Sequence, residues 1–452
     1  MFFYILFFSQ RMDIMLRVMQ FWDKGSLFVD MGSHKERRLN ERWMQLLLIT
    51  IIISPVFPAV VLLLLGVVIL FTYKGKWNVL GWPERIFLGF MVWSLISWFF
   101  NPYLLLGWLP AGLIPVLMFG LYYLLSLWIK EGLNWDWRQF QKHYLQFWLF
   151  GMYAVVVTIL QRVDWIPTEK STLFYLLGFY PMQQAASVRS IGTASNSNLA
   201  AAMLICLALL SIYASSVLVG RWRKTGAFVT FVVICVAIWC TGSRGAWVGL
   251  VIGLLIQVWM TGNRKRTILL FLGLMTVGLV IYTNQTLIPR EETLFATAEV
   301  RFFVWQNSFQ LFTENWLTGV LPLHFSYLFD QLTGRYLFHA HNVFLGMATD
   351  FGVVGLLLFL SLIVVTTSRA RRWRKSAKTK EEKRLAGVLI SIIFALLGHG
   401  MYDYPILAPQ IGLIFMIAVI VIHDQYEKCC PERSARMGGK GRTTSMAKGK
   451  PV

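Results

Sequence analysis

Charge is what this sequence has least of. Only 14% of its 452 residues are Asp, Glu, Lys or Arg, 57% are hydrophobic, and mean hydropathy is +0.59. Soluble domains run nearer to a quarter charged and half apolar, so an ordinary water-soluble enzyme is excluded and the solvent is a bilayer. Acidic residues are scarcer than basic ones, 22 against 42, and no DxD pair or carboxylate cluster of metal-binding type appears in the segments read below as outer; Glu291–Glu292 is the nearest approach there. The five cysteines, Cys206, Cys235, Cys240, Cys429 and Cys430, lack both metal-ligand spacing and a repeated pairing pattern, which excludes a disulfide frame and leaves core thiols and a tail pair. The first segment, MFFYILFF, is too short to span and has neither a basic region before it nor a small-residue cleavage site. The polar stretch MGSHKERRLNER leaves open a start of translation at Met31. There is no internal repeat.

What is present is apolar runs separated by short basic loops. They lie at 43–56, 57–73, 86–100, 103–129, 143–161, 196–218, 225–240, 245–261, 267–283, 341–366, 385–400 and 405–422, and a hydrocarbon core takes about 20 residues of helix to cross. The expected fold class is therefore all-α integral membrane with about twelve transmembrane helices. Residues 43–73 are one run broken only by SPVFP. As a single helix they would measure about 46 Å at 1.5 Å per residue, so the prolines are read as a turn between two passes. With both termini cytoplasmic, twelve passes leave only Arg162, Lys170, Arg189, Arg244, Arg290, Arg301 and Arg335 of the 42 Lys and Arg on the outside. Merging 43–73 into one pass would invert every later loop, including the basic RARRWRKSAKTKEEKR, against the positive-inside rule.

Five segments follow. Residues 1–42 form a cytoplasmic N-terminal segment, 43–283 hold nine passes with an outer loop at 162–195, 284–340 form a large extracytoplasmic loop, 341–422 hold the last three passes, and 423–452 are a basic cytoplasmic tail. The loop 284–340 is longer than structureless connections usually are. Within it Phe302, Trp305, Phe309 and Phe312 are spaced three, four and three apart, which predicts an amphipathic helix lying on the membrane surface, with Arg301 at the edge of its apolar face. A net charge of +20 spread over short loops suits anionic lipid headgroups and not nucleic acid.

The outer arginines are informative because the topology rule depletes that side of positive charge. Arg189 lies in SVRSIGTASNSNLAAA, just before a helix that opens with Asn196, Ser197 and Asn198. Arg244 lies in CTGSRGAWVGL, a glycine-flanked break between two runs. One such arginine can simply snorkel to lipid phosphate; several beside a histidine suit a diphosphate, which planar guanidinium grips bidentately. His341, in FHAHNVFLGMATDFGVVG, stands where the long loop re-enters the membrane, either as a hydrogen-bonded structural residue or as a base for an acceptor hydroxyl. Asn342 can orient a sugar hydroxyl or cap the helix. Asp350, nine residues on, falls on the opposite helical face and reads as scaffold. Asp403, in HGMYDYPI, returns to the outer side either to pair with an arginine or as a solvated turn. His339 has no assigned role.

Four stretches in order, RSIGTASNSNLAA, TGSRGAW, VRFFVWQNSFQLF followed by NWLTGV, and AHNVFLGMATDFGVVG, resemble the O-antigen ligase and polymerase superfamily of bacterial envelope proteins. The resemblance covers about 189 to 405. It implies a glycosyltransferase of GT-C type that takes a glycan from undecaprenyl diphosphate on the outer face of the cytoplasmic (inner) membrane and joins it to a glycan or lipid acceptor, as in completing lipopolysaccharide, without a metal or other cofactor. It implies that Arg244 and Arg301 hold the carrier diphosphate, that His341 is the base on the acceptor side, and that Arg189 makes a further donor contact. Asn198, Asn342 and Asp403 complete the candidate substrate-binding set. The sequence departs from many relatives in carrying Asp350 where they have Glu. In-line displacement with no carboxylate nucleophile in view makes the expected transfer inverting. Two other classes compete: a polysaccharide-lipid transporter or flippase, which would place polar groups at mid-membrane and show internal symmetry, and a peptidoglycan polymerase of the shape, elongation, division and sporulation group, which would hinge on Glu291, Glu292 or Glu299.

Overall fold

The computed structural model describes residues 34–72, 81–100, 109–166, 172, 176–177, 189–261, 264–284 and 294–430. Lys170, Arg290, Glu291, Glu292, residues 1–33 and the tail from 431 lie outside them, as does most of the expected outer loop 162–195. The chain divides into a short unit, residues 1–42, and a large one, residues 43–452. Of the first, residues 34–42 are described and are helical.

Among the described residues every regular element is helical. The helices are α1 (His34–Ile53), α2 (Phe57–Thr72), α3 (Trp82–Phe100), α4 (Leu109–Leu127, continued by a π-helical turn Trp128–Leu133), α5 (Trp137–Arg162), α6 (Ser197–Val217), α7 (Arg221–Thr241), α8 (Arg244–Thr261), α9 (Arg264–Thr283), α10 (Leu294–Glu314), α11 (His324–Thr333), α12 (Val343–Ser376), α13 (Lys380–Gly400) and α14 (Pro409–Cys429). Helices lie along the described parts of the apolar runs. Among the described residues seven spans, against about twelve expected, are long and apolar enough to cross a membrane, one ending α4 (Gly112–Leu133) and the others being α5, α6, α7, α12, α13 and α14, while α2, most of α8 and the middle of α9 are shorter apolar stretches. The turn expected at the prolines is present. Ser54 breaks the run, its Oγ accepting the N–H groups of Val56 and Phe57 at 3.1 and 3.2 Å, so α2 starts afresh.

The bilayer shows in which surfaces stay apolar. On α7, Ile234, Ala237 and Ile238 are buried while Phe228, Val229, Val232 and Val236 are exposed, so the helix is hydrophobic all round, as a helix between protein and lipid must be. The interior is formed by α6, α13 and α14, along which nearly every residue is buried. Helices gain little from mutual burial when the solvent is itself apolar, and close backbone contact matters more. Gly245, Gly249 and Gly253 supply it by forming one stripe on α8 against α13: a Cβ on Gly249 would stand 2.6 Å from the Ala395 carbonyl oxygen, and one on Gly253 2.9 Å from the Ala395 Cβ.

The departure from the expected run at 341–366 is a break. The α12 helix is interrupted at Gly352, whose φ of 67° and ψ of −170° are open only to glycine. The carbonyls and amides it frees are taken up by the NWLTGV segment. Val320 and Leu321 donate to the carbonyls of Thr349 and Asp350, and Val353 donates to that of Trp316, each at 2.8 Å. From α3, Trp93 Nε1 donates to the Phe351 carbonyl at 2.8 Å and Ser97 Oγ to that of Thr318 at 2.7 Å. Apolar surroundings require this, because non-helical backbone survives there only with protein partners. The α10 helix exists as expected, but the row it turns to the protein is Val304, Ser308 and Leu311. Phe302 and Phe309 remain exposed, and Leu311 packs with Val320, Phe325 and Phe329 of the following segment and α11.

A Cβ at Gly352 would lie 1.9 Å from the Leu317 carbonyl oxygen, whereas one at Gly273 meets nothing within 4 Å. Gly352→Ala is therefore expected to cost at least about 1–3 kcal/mol and lower the melting temperature of the detergent-purified protein, while Gly273→Ala leaves it unchanged. Equal melting of the two variants would refute the role given to the break.

Candidate functional site

Four pieces of chain meet at one end of the bundle. They are the entry to α6, the break between α7 and α8, one row of α10, and the start of α12 facing the turn after α13. The α7 helix stops at Thr241 because Gly242 adopts φ 63°, and α8 restarts at Arg244, so this arginine stands on the first turn of a helix where free amides add positive potential. Its Nη2 donates a short hydrogen bond to Thr297 Oγ1. Thr297, Arg301 and Trp305 are spaced four apart on α10 and share one face. Arg301 lies over the Tyr402 ring, 5.6 Å from its centroid, and Trp305 Nε1 donates to the His341 carbonyl at 3.2 Å. One helical row thus carries Arg301 and touches both Arg244 and His341.

His341 is held in an uncommon conformation. Its φ is 49°, a left-handed value that costs a β-carbon residue about 1–2 kcal/mol. Its N–H donates to His339 Nδ1 at 3.2 Å, which makes that nitrogen an acceptor and leaves the proton of neutral His339 on Nε2, 3.6 Å from Asp403 Oδ1. His341 Nδ1 lies 3.1 Å from the same oxygen, which also accepts the Tyr404 N–H at 2.8 Å. A carboxylate accepts, so Nδ1 of His341 carries the proton and Nε2 has its lone pair free. This is how a carboxylate prepares an imidazole to take a proton.

Burial would raise the pKa of Asp403. The His341 hydrogen bond and the charges of His339, His341 and His399 outweigh it and hold the carboxyl well below the usual range. His339 is pushed down to about 4, first by burial and then by His341, with Asp403 opposing. The ring nitrogens of His339 and His341 and a carboxylate oxygen of Asp403 lie within 4.8 Å of one another, so the three have the spacing of a divalent-ion site as well as of a hydrogen-bonded cluster.

Arg189 donates from Nε to the Thr241 carbonyl and from Nη2 to Asn198 Oδ1, both at 2.8 Å. It thereby ties the entry of α6 to the α7–α8 break, and Asn198 serves as its acceptor. The Oδ1 of Asn342 accepts the N–H groups of Phe344 and Leu345 at 2.9 and 3.0 Å, and its Nδ2 donates to the Met401 carbonyl at 3.1 Å. Of its two expected roles the helix cap is the one its oxygen performs. The pairing considered for Asp403 is corrected: its partners are His341 and His339 and not an arginine, because the turn after α13 faces the loop entering α12. Asp350 is buried scaffold at the Gly352 break.

The sequence reading missed His399, Thr297 and Tyr402. His399 is fully inside, its Nε2 3.2 Å from the Asn198 carbonyl, and Gly245 and Gly249 leave it room, since added Cβ atoms would come within 3.3 and 3.0 Å of it. Spacing held the available signal. His399 precedes Asp403 by four residues, and Thr297 precedes Arg301 by four.

Because folded His339 protonates near pH 4 and an unfolded histidine near 6.5, the unfolded chain binds more protons between those values. Stability is full above about pH 6.5 and falls as pH drops toward 4. His339→Gln keeps one acceptor and one donor but does not titrate, so its melting temperature should decline less than that of the unsubstituted protein over this window. Identical declines would contradict the burial assigned to His339.

No curated protein matches the chain. Residues 227–360 match a family model described as O-antigen ligase. They contribute Arg244, Arg301, His339 and His341 to the site, so the stretch that carries these residues is similar to O-antigen ligases.

Proposed function

We propose that the protein transfers a glycan from undecaprenyl diphosphate to an acceptor hydroxyl at the extracytoplasmic face of the bacterial cytoplasmic membrane, by a metal-independent, inverting displacement. The similarity of residues 227–360 to O-antigen ligases supports a glycosyltransferase of O-antigen ligase or polymerase type. The observation that carries the finer reading is that one face of α10 unites Arg301 with Arg244, through Thr297, and with His341, through Trp305. Two guanidinium groups and a prepared imidazole therefore share one end of the bundle. Twelve passes with both termini cytoplasmic put that end outside. In support of this orientation, the basic residues between Arg369 and Arg384 lie at the opposite ends of α12 and α13, where the positive-inside rule places them in the cytoplasm.

In this reading the acceptor O–H gives its proton to His341 Nε2 as the oxygen attacks the anomeric carbon from the face opposite the carrier. The bond from that carbon to the diphosphate oxygen breaks, and its electron pair stays on the diphosphate, where Arg244 and Arg301 stabilise the growing charge. Asp403 stabilises the imidazolium that forms. A single displacement inverts the anomeric centre. Arg189 and Asn198, already bonded to each other, shape the donor side next to Arg244. With His341 Nδ1 and His339 Nε2 both aimed at Asp403, the carboxylate is occupied by hydrogen bonds, which favours proton transfer over metal ligation.

The test is transfer in vesicles carrying the purified protein, the lipid-linked glycan and an acceptor. Arg244→Ala and Arg301→Ala should each lower transfer roughly 10²–10³-fold, and His341→Ala and Asp403→Asn roughly 10²-fold or more. EDTA and substitution of Glu291, Glu292 and Glu299 by Gln should leave it unchanged. Undiminished transfer by the Arg and His variants would sink the proposal, and loss in the Glu variants would favour the carboxylate-dependent polymerase class. Carrier movement across the vesicle without a new glycosidic bond would favour a flippase.

A further inference from the structure

The end of the bundle opposite His341 holds a cavity of about 360 Å³ between the closing turns of α6 and α8, the end of α12 and the first turns of α13. It is lined by Arg374, Lys380, Lys383 and Arg384, and by Gln257 with Ser216; no carboxylate lines it, and its apolar wall is Ile212, Val258 and Met260. Two of its polar groups are left over. Gln257 is 7% exposed and its Nε2 donates to the Leu209 carbonyl at 3.2 Å, but its Oε1 is buried with no hydrogen-bond partner. The Nε of Arg374 is likewise buried and unpartnered. Arg384 is used in part, through Nη1 to the Ser216 carbonyl. Among the described residues no carboxylate pairs with Arg374, Lys380 or Lys383.

Buried polar atoms seldom go unsatisfied in a folded protein, and a cluster of cations without anions calls for one. The unmatched groups here are cationic donors beside one acceptor, so the missing ligand carries a phosphoryl group and a hydroxyl. Its depth identifies the setting. Trp259, on the same turn of α8, is 55% exposed with Arg371 stacked 4.8 Å above its ring, the position of an aromatic side chain at the headgroup level. Basic pockets between helices at this level suit anionic phospholipids.

We propose that this cavity is a binding site for a glycerophosphate group, with the phosphoryl oxygens on Arg374, Lys380 and Lys383 and a glycerol hydroxyl donating to Gln257 Oε1. It is separate from the proposed transfer site and does not depend on it. The α13 helix joins the two, running from Lys380 at the cavity to His399 at the other end, so occupancy would brace the helix that carries His399.

The experiment uses the full chain, purified in detergent and delipidated, with melting temperature followed as diphosphatidylglycerol, phosphatidylcholine or glycerol 3-phosphate is added. Diphosphatidylglycerol should raise the melting temperature at concentrations at least tenfold below those at which phosphatidylcholine does. Arg374→Gln with Lys383→Gln should shift that dependence at least tenfold, and Gln257→Leu should weaken it without changing charge. Arg223→Gln with Lys224→Gln, which removes two exposed cations elsewhere on this end of the bundle, should have no effect. Protection by the lipid alone identifies a membrane headgroup, and equal protection by glycerol 3-phosphate identifies a free phosphate ester; both support the site provided the cavity variants lose it. A response that is the same in the cavity variants and the unsubstituted protein, or is lost equally in Arg223→Gln with Lys224→Gln, overturns it.

Discussion

Backbone hydrogen bonding in apolar surroundings is the constraint from which the site follows. Breaking α12 at Gly352 exposes amides and carbonyls where no water can reach them, and unsatisfied groups there cost several kcal/mol each, on the order of the full desolvation penalty. Residues 316–321 must therefore follow a fixed course, bonded to Thr349, Asp350 and Val353. That course fixes the end of α10, and α10 in turn sets Thr297, Arg301 and Trp305 against Arg244, Tyr402 and the His341 carbonyl. The segment from α10 to the start of α12 is thus held in place by the groups it bonds.

Charge is distributed by the same economy. At the His341 end, Asp403 is buried among His339, His341 and His399, which offset its charge. At the other end compensation is mutual. Lys130 bridges Glu84 and Glu427 at 3.0 and 3.1 Å, and Arg369 reaches Glu427 at 2.7 Å and His423 at 2.9 Å. Buried ions paired in this way tie α3, α4, α12 and α14 together, and removing one partner would leave an uncompensated charge. At the His341 end Arg189 reaches the Thr241 carbonyl and the Asn198 amide oxygen, and Arg244 the Thr297 hydroxyl.

Periodicity made the helices legible. Seven spans of membrane length among the described residues, the proline turn after Ile53 and the helix Leu294–Glu314 all follow from local rules. What stayed hidden depends on contacts distant in sequence. Gly352 sits in an apolar run where a glycine reads as tolerable helix, and only the NWLTGV segment lying against it explains a break. Asp403 is 62 residues from His341, so spacing alone left an arginine partner and a solvated turn open and did not indicate a histidine. The face of α10 expected on the membrane surface was read from Phe302, Trp305, Phe309 and Phe312, of which Phe302 and Phe309 are exposed, whereas the row it packs on the protein, Val304, Ser308 and Leu311, carried no comparable signal in the sequence. The glycine stripe 245, 249, 253 was in plain view as small residues four apart, and it accounts for how His399 can lie inside.

The central claim is a division of labour, with arginines holding the diphosphate and histidine moving the proton. The most direct measurement is the dissociation constant of undecaprenyl-diphosphate-linked glycan alongside single-turnover transfer, in the unsubstituted protein, His341→Ala and Arg244→Ala with Arg301→Ala. The account predicts that His341→Ala binds the donor as the unsubstituted protein does while failing to transfer it, and that the arginine pair loses donor affinity together with transfer. Donor binding lost in His341→Ala and kept in the arginine variant would contradict it.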